Sequence, residues 1–454
     1  MDLIVAFTIT FLLLIASVFK EVFLAYPLAA GIILFSIVAL RRGFHFKDIL
    51  KMAYTGGKKS YIVVEVFILI GALISIWIAS GAVPAIVYYG IELIKPNLFI
   101  LLSFLISCFV SFLIGTAVGT AGIVGAALMV IARSGGVNLS AAAGAIIAGS
   151  FFGDRCSPVS SSANFVANIT ETNVYDNIKI MFKTSIIPFT ISMIFYMIVS
   201  QIFPIHSKTD SIHKLIPLEF DLNWVVLIPV LVIIIFSIFK TNIKISILIS
   251  IIIAFIISIT VQHQTILECI KFLIFGFSLA DSSPLHSIIK GGGIISLLKT
   301  AIVVFLASTF AGIVEGTEIL SDIEKVTLKA NSRWKVFRNV LITSLLGAMV
   351  GGSQTFTVML TYILNKKAYA KNKLDNSYAA IDLENTAIMV SALIPWNIAL
   401  LASTTILDIG IACIPYLMYI YLVPLWNLLY LILRENIFKN YKFHHWRDRQ
   451  TKVQ

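Results

Sequence analysis

Apolar runs of membrane-crossing length follow one another along this chain: Ile4 to Val18, Val22 to Leu40, Trp224 to Phe239 and Ile243 to Ile259. A helix needs roughly 20 residues to cross a hydrocarbon core of about 30 Å. Inside that core no water bonds the backbone, so a crossing segment must be a helix or part of a closed barrel. The strict apolar–polar alternation of barrel strands is missing. The chain is therefore predicted to be an all-α polytopic membrane protein. Of its 454 residues, 59% are hydrophobic and 13% charged, against about 25% charged in a soluble domain. The first run starts Met1-Asp2, without basic residues or a small-residue cleavage site, and is read as a helix rather than a leader.

The net charge is +11. Arg41, Arg42, Lys47, Lys51, Lys58 and Lys59 form one basic loop, and Arg434, Lys439, Lys442, Arg447, Arg449 and Lys452 a basic tail. The positive-inside bias puts both in the cytoplasm, and the N-terminus with them, across an inner (cell) membrane. The charges sit at helix ends, so no nucleic-acid partner is called for. Cys108, Cys156, Cys269 and Cys413 lack metal-ligand spacing, and the histidines cluster only at His444-His445. No phosphate loop or nucleophile elbow is present. The chain is not read as an enzyme, and no prosthetic group is expected.

The polar exceptions are concentrated. Ala148 to Ala167 holds Asp154, Arg155, Pro158, the hydroxyls of Ser157, Ser160, Ser161 and Ser162, and the amide of Asn164. Irregular, charged backbone at membrane depth is tolerated only where protein or water satisfies it, and it is how secondary transporters build midplane sites. Earlier, Gly115 and Thr116 open a glycine-rich interruption; Gly115 and Gly119 also fit a small-residue packing face. The pattern then recurs. Gly351 to Thr355, with Ser353 and Gln354, breaks a second apolar run. Asp382, Glu384, Asn385, Thr386, Pro395, Trp396 and Asn397 follow inside apolar sequence. Pro158 follows Gly115, and Pro395 follows Gly352, at the same separation of 43 residues. The expected organisation is a hairpin and basic loop (1–60), a first repeat (61–205), a connector with two spans (206–295), a second repeat (296–410), and a last span with its tail (411–454). Basic residues on both sides of Val340 to Leu364 leave either a re-entrant hairpin or an outward basic loop there.

Two carboxylates stand out. A carboxylate at depth pairs with a cation or binds a proton, and either couples transport. Asp154 is one, with Arg155 as the partner that would make it merely structural. Glu384 is preferred over Asp382, since residues two apart do not share a helix face. Ser157, Ser160, Ser161, Ser162, Asn164, Thr355, Thr386 and Asn397 offer neutral oxygens. Some of these serve carbonyls freed by the prolines.

Gly153-Asp-Arg-Cys-Ser-Pro-Val-Ser-Ser-Ser-Ala-Asn164 resembles the pattern Gly-Asp-Lys-Met-Ser-Pro-Leu-Ser-Asp-Thr-Thr-Asn of NhaC-type sodium/proton antiporters. Leu383-Glu384 with Ser391-Ala-Leu-Ile-Pro-Trp-Asn397 resembles their Leu-Glu-Asp-Ser-Gly…Leu-Ile-Pro-Trp-Asn, and Trp77 to Pro84 also fits. The likeness spans about residues 50 to 410. Three acids of the pattern are replaced here, by Ser161, Ser353 and Asn385. The resemblance implies about 11 to 13 transmembrane helices in two inverted repeats with broken helices and re-entrant hairpins. It implies ion-coupled antiport by alternating access around the Ser157–Asn164 and Glu384–Asn397 stretches. Sodium would sit at Asp154 and Glu384, with Gly115, Thr116, Ser353, Gln354 and Trp396 lining the site. The alternative is a sodium- or proton-coupled amino-acid or organic-acid transporter, which a hydroxyl-rich neutral site suits. Expected partners are the lipid bilayer, sodium, protons and such a small acid, with a homodimer as a candidate assembly.

Overall fold

The computed structural model describes residues 2–450 except Glu21, Ile94, 206–208, Lys240, Asn242, Pro284, 287–288 and 318–320. Helices α1 (Asp2–Phe19) and α2 (Ala25–Arg41) form an antiparallel hairpin, Thr10 against Gly31 and Phe7 against Phe35. The expected basic loop is largely a helix, α3 (Phe46–Lys59). Its lysines stay exposed on one side while Ile49, Gly56 and Gly57 are buried on the other. It runs on through α4 (Tyr61–Ala79) as one 34-residue helical stretch whose α4 part is apolar. Next come α5 (Ala82–Leu93) and α6 (Phe99–Ile114). A short α7 (Ala117–Thr120) continues through a π turn into α8 (Ala126–Ser134). Then follow α9 (Leu139–Cys156), α10 (Ser161–Ile169) and α11 (Val174–Ile202).

The connector holds α12 (Thr209–Glu219), the pair α13 (Ile228–Ile238) and α14 (Ile243–Thr260), and α15 (Ile266–Phe275). The turn-rich segment after it forms a small antiparallel ladder, β1 (Phe277–Ser278) with β2 (Lys290–Gly291). The second half comprises α16 (Leu298–Gly316), α17 (Ser321–Thr327), α18 (Arg333–Gly351), α19 (Gln354–Lys371), α20 (Asn376–Asn385), α21 (Ala387–Ser391) and α22 (Ile398–Ile406). It closes with α23 (Met418–Gln450).

The two halves are built alike. In the first, α6 and α9 run parallel with almost nothing between them. A Cβ on Gly149 would lie 2.4 Å from Phe104 O, and one on Gly153 2.0 Å from the Ser111 carbonyl carbon. The chain reverses at Gly115, whose φ of +73° is a left-handed conformation glycine adopts at no steric cost. Helix α8 then returns to where α6 began: Gly135 packs on Ile205, whose N–H donates to Pro96 O at 3.2 Å. The stretch α6–α8 is therefore a re-entrant hairpin.

In the second half Gly352 makes the same reversal at φ +58°. The Asn365 amide donates to Thr343 Oγ1 at 2.8 Å, tying the far end of α19 back to α18. The stretch around Val340 to Leu364 is thus a re-entrant hairpin, which decides the choice left open by its basic flanks. Helices α20–α21 run alongside α18, as α9 does along α6. Each companion helix then breaks and restarts under a side-chain cap, Ser160 for α10 and Asn397 for α22. Each cap lies 45 residues after its left-handed glycine. The glycine touches that break in both halves: Gly115 abuts Val159 and Ser160, and Gly352 O accepts from Ile398 N at 2.7 Å.

The repeats are inverted. Helix α22 ends beside α8, at the base of the first hairpin, where Arg133 Nη2 donates to Leu407 O at 3.0 Å. The base of the second hairpin lies at the other end and carries Arg333, Lys335, Arg338, Lys366, Lys367, Lys371 and Lys373. Helix α3 packs antiparallel on α16, Gly56 against Ser308 and Met52 against Gly316, so Arg41, Arg42 and Lys47 join that basic end. Arg434 of α23 shares a cavity with Arg333 there.

Five helical stretches among the described residues are long and apolar enough to cross a membrane, or six if the bent α12–α13 pair is one span. Three shorter apolar helices, Val5–Phe19, Ala25–Arg41 and Lys244–Thr260, fall just below that length. The larger sequence-based number of spans includes these, the broken α9–α10, in which 18-residue α9 ends on charged Asp154 and Arg155, and α20–α22, whose pieces are individually short.

Candidate functional site

Asp154 is set near the end of α9, where the helix can still orient it, and is 5% exposed. Three chain segments converge on its carboxylate. Gln354 Nε2, at the tip of the second hairpin, donates to Oδ2 at 3.0 Å. Ser162 Oγ, at the start of α10, lies 3.2 and 3.3 Å from the two carboxylate oxygens and 3.0 Å from Gln354 Oε1. The backbone N–H of Ala117, just past the tip of the first hairpin, also faces it. Both hairpin tips and one helix break thus meet on a single carboxylate. Its hydrogen-bond partners among the described residues are all neutral, and the nearby ionisable group is Glu384.

Arg155 does not pair with Asp154. Its side chain is fully buried and turned the other way. Nη1 donates to the hydroxyls of Ser185 and Tyr419, the latter at 3.2 Å. Nη2 donates to Thr184 Oγ1 at 2.8 Å, to Met181 O at 3.3 Å and to Asn385 Oδ1. These acceptors come from α11, α20 and α23, and every one is neutral.

Glu384 is 0% exposed, and neither carboxylate oxygen has a hydrogen-bond partner among the described residues. A carboxylate buried without donors is tolerated only when protonated or balanced by a cation; the nearby buried cation is Arg155. Asp382, two residues away and also buried, is fully paired. Arg333 grips it with both terminal nitrogens, Nη1 at 2.7 Å, and the Tyr369 hydroxyl donates at 2.6 Å. Of the two acids on this helix, Asp382 is thus committed to a structural pair.

Several residues expected to line a site are instead occupied by freed backbone groups. Ser157 donates to Phe112 O at 2.6 Å, and Asn164 to Pro158 O and Ser160 O. Ser160 caps α10 and donates to Asp154 O. Trp396 Nε1 donates to Met349 O at 2.7 Å and Asn397 Nδ2 to Ala348 O at 3.0 Å, satisfying the last carbonyls of α18. Thr116 and Ser353 cap the two helices that leave the tips. Thr386 donates to Asp382 O at 2.6 Å. Ser161 and Thr355 are exposed, next to half-buried Ser162 and Gln354. The structure therefore joins the Ser157–Asn164 stretch to Gln354 rather than to Pro395, and sets Glu384 behind it across Arg155. Thr184, Ser185, Arg333, Tyr369 and Tyr419 belong to these networks and carried no sequence signal, being ordinary residues of apolar helices or basic ends.

Two cavities lie at opposite ends of this core. One of about 640 Å³ opens at the basic end and reaches Thr184, Asp382 and Asn385. At its edge the Ser377 hydroxyl and backbone N–H hold the Asp375 carboxyl below its usual range. The other, about 520 Å³, opens at the far end beside Arg133 and Asp408. Neither is lined by Asp154.

The model of the Na+/H+ antiporter family matches residues 1–163 and 149–433. The chain belongs to this family. It is a secondary, ion-coupled antiporter with a multi-pass membrane fold. It is 28% identical over 413 residues (89% of this chain, 91% of the relative) to the Na+/H+ antiporter NhaC of Bacillus subtilis. It is 27% identical over 395 residues (85% and 84%) to the malate-2H+/Na+-lactate antiporter of the same organism. To the arginine/ornithine antiporter ArcD of Halobacterium salinarum it is 26% identical over 343 residues (73% and 70%).

Proposed function

We propose that the chain exchanges sodium against protons across the cell membrane, with Asp154 as the group both ions share. The observation that carries this reading is a buried carboxylate held between two hairpin tips by neutral partners alone. Hard cations bind carboxylate, hydroxyl and amide oxygens, and Asp154, Ser162 Oγ and Gln354 Oε1 supply one of each. A proton on the carboxylate removes the charge the cation needs, so the two ions exclude each other and exchange is obligatory. The tips belong to inverted repeats, so rocking one against the other alternates access. The basic end, with both termini, faces the cytoplasm by the positive-inside bias.

The test is sodium-driven proton flux in proteoliposomes. Asp154→Asn is expected to abolish it, with apparent sodium affinity falling at least about tenfold, roughly 1.4 kcal/mol. Full flux in Asp154→Asn would end the proposal.

A second reading, exchange of a small carboxylate, is favoured by one observation. Arg155 is a buried guanidinium whose hydrogen-bond acceptors are all neutral, with the partnerless carboxyl of Glu384 nearby. The similarity to the malate/lactate antiporter is compatible with it.

A further inference from the structure

The cavity at the basic end measures about 640 Å³. A sodium ion or a proton needs no such volume, whereas sites for small organic ligands run from about 300 to 1,000 Å³. Its inner wall includes Thr184 and Asn385. The side-chain oxygens of these two residues hold Arg155 Nη2 together with Met181 O. The guanidinium of Arg155 thus lies behind a wall one side chain thick. Beside it the cavity is lined by the Arg333–Asp382 pair, by Arg434, Glu435 and Asp375 towards its mouth, and by Tyr378 and Asn427.

A guanidinium prefers a carboxylate to an amide or hydroxyl oxygen. Charge-assisted bonds are about twice as strong as neutral ones, and the planar fork matches a carboxylate in two places. An aspartate at position 385 would satisfy Arg155 permanently. The amide there holds it more weakly and can swing aside.

We infer that this cavity binds a small organic carboxylate from the basic side, and that its carboxylate takes Arg155 Nη2 from Asn385 and Thr184. The inference rests on the second reading above and gives it a site. It makes Asn385 a displaceable placeholder for the solute. It also separates the solute site, at Arg155, from the cation site, at Asp154, on adjacent residues of one helix.

Thermal unfolding of the purified full chain in detergent tests this, with L-lactate, L-malate and neutral lactamide as probes at constant ionic strength in chloride. Lactate or malate should stabilise the protein saturably, and lactamide should not. Asn385→Asp, which tethers a carboxylate beside Arg155, should raise the half-saturating concentration at least about tenfold while the protein elutes as a folded species. If that variant does not fold, Thr184→Val removes a competing acceptor from the same nitrogen, and a fall in the half-saturating concentration of at least about threefold is expected. An equal response to lactamide, no saturable response to either acid, or unchanged half-saturation in the folded variant would overturn the assignment. Sodium titrated alone into the wild-type protein reads the cation site separately. Stabilisation by sodium without any by the acids overturns the cavity site and keeps the antiport reading. Stabilisation by the acids without any by sodium does the reverse.

Discussion

At the scale of single residues, the site is defined by which buried charges are paired. Asp382 and Arg333 form a closed pair, with Asp382 1% exposed and the Arg333 side chain 23% exposed. Tyr369 adds a third bond. Removing one member of such a pair strands the other, at a cost of about 3–5 kcal/mol, while removing both costs far less. Arg333→Ala should therefore lower thermal stability sharply, and Arg333→Ala with Asp382→Asn should recover much of the loss. Thermal unfolding of the two variants in detergent reads the difference. Equal losses would mean that the pair does not hold α18 to α20. Asp154 and Arg155 differ from this pair. They are neighbours in sequence, yet each bonds neutral groups on separate sides of α9, and Arg155 Nε has no hydrogen-bond partner among the described residues. Two acids nearer helix ends are paired elsewhere: Glu65 with Lys244 and half-buried Glu315 with Lys59. Glu318, another acid of that region, lies outside the described residues.

At the scale of elements, glycine decides how closely helices approach. The α6–α9 contact brings two backbones together at Gly149 and Gly153. No side chain can retreat to make room, because what a Cβ would meet at Gly153 is the Ser111 backbone at 2.0 Å. Gly153→Ala should destabilise by at least the 1–3 kcal/mol typical of overpacking, and it would also displace Asp154 next to it. Gly410→Ala is the matched comparison. Its backbone is extended with φ −84° and nothing lies within 4 Å of the new methyl, so it should stay within about 0.5 kcal/mol of wild type. Detergent unfolding midpoints separate the two. A Gly153→Ala variant as stable as Gly410→Ala would show that α6 and α9 are looser than their contact implies. At the hairpin tips glycine is needed for a different reason, since Gly115 and Gly352 both carry the chain through left-handed turns.

For the whole molecule, the inverted repeat separates two ends, and the charge distribution carries the proposed orientation. The basic base of the second hairpin, the start of α1 and the part of α23 around Arg434 lie at one end. The turn after α14 lies at the opposite end, since Gln262 bonds Ser80 O at the end of α4. All four cysteines are buried, so the native chain offers a quiet background for labelling. A cysteine at exposed Lys373 should react with a membrane-impermeant reagent only from the cytoplasmic side, and one at exposed His263 only from outside. Labelling of Lys373→Cys from outside in intact cells would reverse the assigned orientation.

The sequence by itself determined the membrane class, the places where helices break and the pairing of the halves, because those depend on local chemistry. A run of Ile and Leu must be helical in lipid, and the Gly-, Ser- and Pro-rich stretches at Gly115, Pro158, Gly352 and Pro395 weaken a helix locally, although Pro188 and Pro424 stay inside helices. It also narrowed the deep acids to Asp154, Asp382 and Glu384. What each polar side chain does was decided only in the tertiary structure. Ser157, Asn164, Trp396 and Asn397 have the composition of a binding site, yet they serve carbonyls freed by breaks elsewhere in the chain. Arg155 is turned from its neighbour Asp154 towards Asn385, and Gln354 closes on Asp154 from the other repeat. Such partners lie some 200 residues apart in the chain. Bringing them together depends on how the two repeats dock, and no local spacing records that.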